Sequence, residues 1–390
     1  MDGSEIRTLG GGVNHVGARA HNERLILSTI QRHGELPGME IARLTRLTAQ
    51  TVSNILKKLE NDGLLLRGEP NRGRIGKPSV PMAINPDGAL SFGLKIGRRS
   101  ADLMVMNMRG EVLAEEQTTY RYPMPDALFR YLGAGMERLS RGLSDLQKSR
   151  ICGIGIAAPA EIWSWTEALD APASFSIWRE TDIQTEVARI TDLPLTIQND
   201  GTAACRAEHL FGRGREFSDY AYFFIGSFVG GGVALASKVV MGGKGNAGAF
   251  GSLRVPGPDG AEVQLLDAAS LYLLENAIIR DGLDASALWT RPQDWSAFEV
   301  QLGPWIETTA RALAHAIRSI GAVMDFEAVL IGGAMPEDIR ARIVARTTAA
   351  LAQLDTRGLI PPPPQTARVG ANARTLGAAY GPVFDRYFLQ

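Results

Sequence analysis

A glycine-rich stretch, residues 224–251, constrains the fold of this 390-residue chain more than any other segment. It holds nine glycines, and apolar runs lie before and after the cluster Gly230–Gly232. This order predicts two strands joined by a tight turn. Because glycine allows positive φ and a close approach of backbone amides, such a turn can hold a phosphate or the hydroxyls of a polar ligand. A plain hairpin turn followed by a flexible loop is the alternative.

The bulk composition is that of a globular protein with two or three domains, at 45% hydrophobic and 21% charged residues. No uncharged apolar window of about 18 residues occurs, so we expect no transmembrane helix and no membrane partner. The first residues lack the apolar core of a secretory signal, which predicts a cytoplasmic protein. Cys152 and Cys205 lie among apolar or small residues and are expected to be buried thiols.

Charge and helical periodicity set the first 80 residues apart. They hold 12 Lys and Arg against 8 Asp and Glu, a balance of +4, whereas the whole chain carries −1. Three short helical patterns start at Ala20, at Pro37 and after Thr48, a preferred N-cap residue. The third helix buries one stripe, formed by Val52, Ile55, Leu56 and Leu59. With the basic loop that follows, this order predicts a winged helix-turn-helix domain over residues 20–82, after a flexible arm over residues 1–19.

The outward face of the third helix predicts contact with an operator in double-stranded DNA. In such domains this helix lies in the major groove, where Gln and Asn pair with adenine edges and Ser, Thr and Lys reach bases or phosphates. The predicted contact residues are Gln50, Thr51, Ser53, Asn54 and Lys57 on the helix, and Arg72, Arg74 and Lys77 in the wing. The alternative is a small helical interaction domain whose third helix only packs. DNA binding that hardly weakens as salt rises would favour that alternative.

The rest of the chain, residues 88–390, alternates strand-like apolar runs with helical patterns. Residues 151–159 are typical of a buried central strand, and Met108–Gly110 is typical of a hairpin turn. A single helix is expected over Asp126–Leu146. This alternation predicts an α/β body with two lobes around a cleft.

Several motifs in one order resemble those of a known family. They are TAQTVSNILKKLENDGLL at 48–65, GRIGKPSVPMAINPDG at 73–88, GIGIAAP at 153–159, QND at 198–200, IGSFVGGG at 225–232, LIGGAM at 330–335 and TLGAAYG at 375–381. Together they resemble a ROK-family transcriptional regulator over about residues 20–385. The resemblance implies a winged helix followed by a two-lobed sugar-kinase-like body of the actin/hexokinase, or ribonuclease H-like, type.

The sequence departs from the kinases of this family at the turn that handles ATP. Those kinases carry Asp-x-Gly-Gly-Thr, whereas residues 95–99 read Lys-Ile-Gly-Arg-Arg. A lysine cannot supply a carboxylate near Mg²⁺, and an arginine crowds a phosphate turn. We expect Arg98 and Arg99 to be solvated at the surface, with attraction of an anion as the alternative.

The metal and sugar motifs of the family are also altered. Ala249 and Ser252 stand where the resemblance implies a Glu and a His, and no Cys or His follows in residues 253–270. Structural zinc needs such ligands, so we predict no metal and no cofactor. The ligand-contact residues implied by the resemblance are Ser174, Asn199, Asp200, Gly248 and Asp267. Asp200 would be the catalytic base of a kinase, and in the alternative interpretation it only caps the helix after residue 199.

These features predict a DNA-binding repressor of carbohydrate-related genes. A small sugar or sugar-derived effector would bind in a non-catalytic cleft, and the protein would act as a homodimer or homotetramer. One alternative is an active ATP-dependent sugar kinase with a DNA-binding head, which a coupled assay with ATP and a sugar panel would reveal. The other is a regulator whose body serves only for oligomerisation, for which calorimetry would detect no sugar binding.

Overall fold

The computed structural model describes residues 15–69, 80–165, 172–257, 259–290 and 293–389. It divides the chain into two compact units. The first comprises Met1–Leu90, Asn107–Glu111 and Val383–Gln390, and the second comprises Ser91–Met106 and Val112–Pro382. Among the described residues, no helix combines the length and apolarity needed to cross a membrane.

Three helices and a small antiparallel sheet form the first unit. The elements are α1 His15–His33, β1 Leu36–Pro37, α2 Gly38–Thr45, α3 Ala49–Asn61, β2 Leu65–Arg67 and β3 Pro81–Ile84, with strand order β1-β3-β2. Helix α1 begins at His15, five residues before the predicted start at Ala20. Its residues 18–20 are exposed, so this part of the helix leaves no buried apolar period in the sequence.

The third helix forms as its sequence predicts. The side chain of Thr48 accepts a hydrogen bond from the backbone N–H of Thr51 and caps the helix. The predicted stripe of Val52, Ile55, Leu56 and Leu59 is buried. Within this unit the last residues of the chain contact α1, since the N–H of Leu389 donates to Ser28 Oγ at 2.8 Å.

The second unit contains two five-stranded sheets. The first has the order β6-β5-β4-β7-β8 and comprises β4 Leu90–Ile96, β5 Ser100–Asn107, β6 Val112–Thr119, β7 Ile151–Ala158 and β8 Leu195–Asn199. The second has the order β11-β10-β9-β14-β15 and comprises β9 Tyr220–Ile225, β10 Val229–Leu235, β11 Lys238–Val240, β14 Ala328–Gly333 and β15 Pro364–Thr366. A hairpin of β12 Arg254–Pro256 and β13 Glu262–Gln264 lies outside both sheets.

Helices connect these strands. They are α4 Pro125–Ser140, α5 Asp145–Ser149, α6 Ile183–Ala188, α7 Asp200–Phe211, α8 Leu266–Ala269, α9 Leu271–Arg280, α10 Glu299–Gly321, α11 Glu337–Leu351 and α12 Ala373–Tyr387. The prediction of one helix over Asp126–Leu146 is wrong. Ser144 and Gln147 form a reciprocal capping box that starts α5 as a separate helix, because each side chain bonds the other residue's backbone N–H.

Both sheets follow the same strand order. In the first sheet β4, β5 and β6 lie side by side in chain order, and β7 and then β8 follow on the other side of β4. In the second sheet β9, β10 and β11 take the same places, and β14 and then β15 follow on the other side of β9. The pairs β7–β8, β9–β14 and β14–β15 are parallel, whereas β9–β10 and β5–β6 are antiparallel. The expected α/β class is therefore correct. The sugar-kinase-like body contains this sheet twice, and it follows the winged helix in the chain.

A junction of small residues holds α12 against both halves of the body. A Cβ added at Gly377 would lie 1.8 Å from the carbonyl oxygen of Ala203 in α7. A Cβ at Gly155 in β7 would lie 1.9 Å from the carbonyl of Ala378. Backbones can approach this closely only without side chains between them, so the TLGAAYG motif is required for packing whatever ligand is bound.

Candidate effector cleft and DNA-binding face

The glycine-rich stretch forms one wall of a cavity of about 120 Å³. The turn between β9 and β10 and the loop before β12 both line it. Gly248 has a φ of +77°, and a Cβ there would lie 2.5 Å from the Cα of Gly232. The two segments therefore meet backbone to backbone. This wall therefore offers peptide groups to a ligand, together with the side chains of Phe228 and Asn246.

Asn199 and Asp200, at the junction of β8 and α7, line the same cavity. The Asn199 Oδ1 atom accepts hydrogen bonds from the N–H groups of Gly201, at 2.9 Å, and Thr202, at 3.3 Å. Asn199 therefore caps α7, and the alternative in which Asp200 is the cap is wrong. One residue further on, Asp200 lines the cavity, where its Oδ2 atom lies 3.0 Å from Nη1 of Arg374.

Arg98 enters the same cavity from the end of β4. The expectation of a solvated surface residue is wrong, because Arg98 is only 7% exposed. Its guanidinium carbon lies 3.3 Å from the centre of the Phe228 ring, a stacked cation–π contact. Burial lowers the pKa of Arg98 well below its ordinary value, while the charge of Asp200 acts in the opposite direction and that of Arg374 adds to the lowering.

Lys95, in the turn that the ATP-binding motif would occupy, forms a buried ion pair with Asp102. Its Nζ also donates to Ser100 Oγ at 2.8 Å, and Gln117 Nε2 donates to Asp102 Oδ1 at 2.7 Å. A Cβ at Gly97 would lie 2.6 Å from Lys95 Cε, so the lysine fills the space beside the turn. The side chains here are thus paired and hydrogen-bonded to one another, whereas a phosphate-binding turn needs backbone N–H groups that a phosphate can reach.

Arg99 remains partly exposed, and it is held by an ion pair. Its Nε lies 3.2 Å from Oε1 of Glu275, and its Nη1 donates to the carbonyl of Arg121 at 2.6 Å. Trp289 Nε1 donates to the same Glu275 carboxylate at 2.9 Å. Arg98, Arg99 and Trp289 line a cavity of only about 30 Å³. This is far below the roughly 300–1,000 Å³ that is typical of pockets for drug-sized ligands.

The outward face of α3 carries the side chains proposed for DNA contact. Gln50, Ser53, Asn54 and Lys57 are exposed, and Thr51 is half-buried beside the cap. Gln50 Nε2 donates to Asn54 Oδ1 at 3.1 Å, which links two of the candidate base-reading side chains one turn apart. Arg72, Arg74 and Lys77 lie outside the described residues, so the wing remains a sequence prediction.

Two family models match the chain in the order of its two units. The model of the MarR family matches residues 21–75, and that of the ROK family matches residues 91–264. Residues 91–264 thus match a ROK domain, which follows a MarR-type winged helix in the chain. Its relatives include uncharacterised protein y4fQ of Sinorhizobium fredii, 24% identical over 94% of this chain and 92% of that protein. The xylose repressor of Caldicellulosiruptor bescii is 27% identical over 61% of this chain and 59% of that protein.

Solved structures with the same fold include both regulators and kinases. A ROK family transcriptional regulator, described as a homologue of the Escherichia coli MLC protein, has a TM-score of 0.66. It is 19% identical, and the match covers 95% of this chain and 98% of that one. A ROK family glucokinase from Streptomyces griseus, solved with glucose and AMPPNP, has a TM-score of 0.57 at 21% identity. That match covers 75% of this chain and 98% of the kinase. These likenesses establish the fold of the ROK domain.

The ROK domain brings three of the five predicted ligand residues together. Asn199, Asp200 and Gly248 line the 120 Å³ cavity. Ser174 is exposed in a 3₁₀ helix, Ala173–Arg179, and is not part of the cavity lining. Asp267 accepts a hydrogen bond from the Tyr272 hydroxyl at 3.0 Å and is likewise outside that lining.

Sequence reasoning missed the role of Arg98 and Phe228 in this cavity. Their signal was present, since Arg98 replaces a small residue beside Gly97 and Phe228 interrupts a run of glycines and small residues. What the sequence could not show is that the two side chains stack on each other across the cleft of the ROK domain.

Neither cysteine takes part in the cleft. Cys152 and Cys205 are buried and outside any disulfide, as predicted. Burial raises the pKa of the Cys205 thiol to about 12. In the part of the chain that the structure describes, no group of three or more His, Cys, Asp or Glu residues could hold a metal ion.

Proposed function

We propose that this protein is a sugar-responsive transcriptional repressor whose ROK domain binds an effector without catalysing its phosphorylation. The proposal rests on two features that occur in one chain. The first is an exposed, polar recognition helix, and the second is a ROK domain in which the buried Lys95–Asp102 pair fills the space beside the phosphate turn. The first feature supports operator binding, and the second opposes ATP binding. The names of the relatives, among them xylose repressors, support control of carbohydrate-related genes.

In this proposal α3 lies in the major groove of operator DNA. Gln50 and Asn54 read base edges, and Lys57 contacts a phosphate. Arg72, Arg74 and Lys77 of the wing contact phosphates or the minor groove. A homodimer or homotetramer places two such helices on the two half-sites of a palindromic operator.

Regulation follows if the effector binds one conformation of the cleft more tightly than another. Asn199, Asp200 and the backbone around Gly248 offer hydrogen-bond partners for sugar hydroxyls. A ligand that favours the conformation with low operator affinity releases the protein from DNA, and operator DNA weakens effector binding by the same factor. Ser174 and Asp267 join the site only if the cleft closes further around the ligand.

The test is operator binding measured by fluorescence anisotropy, with the DNA site selected from a random library by the full-length protein. We expect the affinity to fall steeply with salt. Lys57→Ala should weaken binding and reduce the slope of log affinity against log salt by about 1. Lys148→Ala, which removes a half-exposed lysine of the ROK domain, is the matched control and should change neither quantity. Failure of the wild-type protein to select any DNA would refute the proposal.

The kinase alternative keeps one supporting observation, which is that Asp200 lines a cavity in a domain with the fold of a ROK family glucokinase. A coupled assay with ATP, Mg²⁺ and a panel of sugars separates the two functions. We expect no turnover above that of Asp200→Asn. Turnover that this substitution abolishes would make the protein an enzyme. A regulator whose body only oligomerises would bind operator and show no heat with any sugar or sugar phosphate.

A further inference from the structure

The turn between α2 and α3 contains an arginine with an unusual backbone conformation. We infer that this residue, Arg46, contacts a phosphate of operator DNA beside the N-terminal end of α3 and so fixes where the recognition helix enters the major groove. This role rests on the proposed DNA-binding function, and it adds a contact outside α3 and the wing.

The backbone of Arg46 is the first observation. Arg46 is the C-cap residue of α2 and is left-handed, with a φ of 57° and a ψ of 23°. Glycine is the usual residue in this conformation at a helix end, because a Cβ makes the conformation unfavourable. An arginine therefore lowers stability at a position where glycine would fit without strain. Strained residues cluster at functional sites, and a function of the Arg46 side chain would account for this one.

The charge of Arg46 is the second observation. Its side chain is exposed, and within the described residues it has no hydrogen-bond or ion-pair partner. Two other cations of α2 and α3 are engaged, since Arg43 pairs with Glu40 and Lys58 pairs with Glu23. The guanidinium group of Arg46 is thus free to bind an anion, and its planar donors match two oxygens of a phosphate.

The place of Arg46 in the motif is the third observation. In helix-turn-helix proteins the N-terminal residues of the recognition helix contact base edges, and the preceding helix crosses the DNA backbone. Arg46 lies between these two helices, two residues before the cap Thr48. Its Cα is therefore at most about 7 Å from that of Thr48. A phosphate contact at this point carries no base information but sets the register of the helix on the duplex.

Arg46 and Lys57 flank the residues of α3 that are proposed to read bases. Like Arg46, Lys57 is exposed and has no ion-pair partner in the part of the chain that the structure describes. The helical rise from Ala49 to Lys57 is about 12 Å, which is close to the width of the major groove, about 12 Å. The two cations can therefore reach phosphates at both edges of the groove while Gln50 and Asn54 face the bases between them.

The test measures DNA affinity of the full-length protein by fluorescence anisotropy over a range of salt. It uses the selected operator and a random sequence of equal length. Arg46→Gly should weaken binding to both DNAs by about tenfold, as loss of a charged hydrogen-bonded contact does. The slope of log affinity against log salt should fall by about 0.9, the value for one phosphate. The ratio of the two affinities should stay within about twofold of the wild-type ratio, because a phosphate contact does not read sequence.

Two further variants separate the charge of Arg46 from other effects. Arg46→Lys retains the charge and should keep the wild-type salt slope. Arg32→Gln removes one exposed charge from α1 in the same unit and is the matched control. It should change the slope by less than a third as much as Arg46→Gly.

Stability should change in the direction opposite to affinity. Because glycine relieves the strain, amide hydrogen exchange of α2 and α3 in Arg46→Gly should be as slow as in the wild-type protein or slower. An arginine with only a structural role would give faster exchange together with weaker DNA binding.

Two results would overturn the role of Arg46 and leave the DNA-binding function standing. One is a wild-type affinity and salt slope for Arg46→Gly in a protein whose slope still falls with Lys57→Ala. The other is weaker DNA binding accompanied by faster exchange in α2 and α3, since lost structure would then explain the loss of affinity. If the wild-type protein selects no DNA, the proposed function fails and the Arg46 contact fails with it.

Discussion

Replacing Lys95 by methionine tests whether the former phosphate turn is held by a desolvated ion pair. The two side chains are 6% and 8% exposed, and Gln117 and Ser100 complete the hydrogen bonding. Removing one partner of a buried pair leaves the other charge uncompensated, which typically costs about 3–5 kcal/mol. We expect Lys95→Met to lower the free energy of unfolding of the second unit by this amount.

The double variant Lys95→Met, Asp102→Leu supplies the comparison. It removes both charges but leaves the buried Ser100 hydroxyl without its bonds to Lys95 and Asp102, a penalty of about 1–3 kcal/mol. It should therefore be more stable than the single variant by about 2 kcal/mol. Urea unfolding followed by tryptophan fluorescence measures both, because all six tryptophans lie between Trp163 and Trp305 in the second unit. A single substitution that costs under about 1 kcal/mol, or a double variant less stable than the single, would refute the argument.

Three further predictions concern other parts of the chain. Gly248→Ala should destabilise the body by about 1–3 kcal/mol, because alanine is strained at a positive φ and its Cβ would meet the backbone of Gly232. Gly243→Ala is the control, since nothing lies within 4 Å of a Cβ at that position. Equal changes in melting temperature for the two variants would contradict the close packing at Gly248. Thr48→Ala should lower the stability of α3 by about 1 kcal/mol, seen as faster amide exchange in its first turn, and unchanged exchange would argue against the cap. With a pKa of about 12, Cys205 should be thiolate in only about one molecule in ten thousand at pH 8. Mass spectrometry should therefore find Cys205 unalkylated in the native protein and alkylated after unfolding. Rapid alkylation of the native protein at Cys205 would contradict its burial.

Local patterns in the sequence were sufficient to predict the recognition helix. Its cap at Thr48 and its stripe from Val52 to Leu59 depend on residues within one or two turns of each other. The strand–turn–strand of the glycine-rich stretch was predictable for the same reason, since the β9 and β10 partners lie close in the chain.

The residues that line the cleft and their contacts were harder to predict from the sequence, because they come together from distant segments of the chain. Arg98 is buried by Phe228 and influenced by Asp200 and Arg374, none of which is near it in sequence. The cap of α7 was equally hard to assign. Asn199 and Asp200 are both good caps, and only the backbone at the end of β8 selects the first and leaves the second facing the ligand cavity.

The Lys95–Asp102 pair also restricts how this cleft can evolve. A change of Lys95 to an acidic residue, as ROK kinases require, would set two carboxylates side by side in a buried site, and like charges there repel. A change of Arg98 to glycine, which the same turn requires, would remove the side chain that covers the Phe228 ring. The route back to a phosphate-binding turn therefore needs several coordinated substitutions, each harmful alone. Selection acting on single mutations would retain the sensor, even in a population where a sugar kinase would be advantageous.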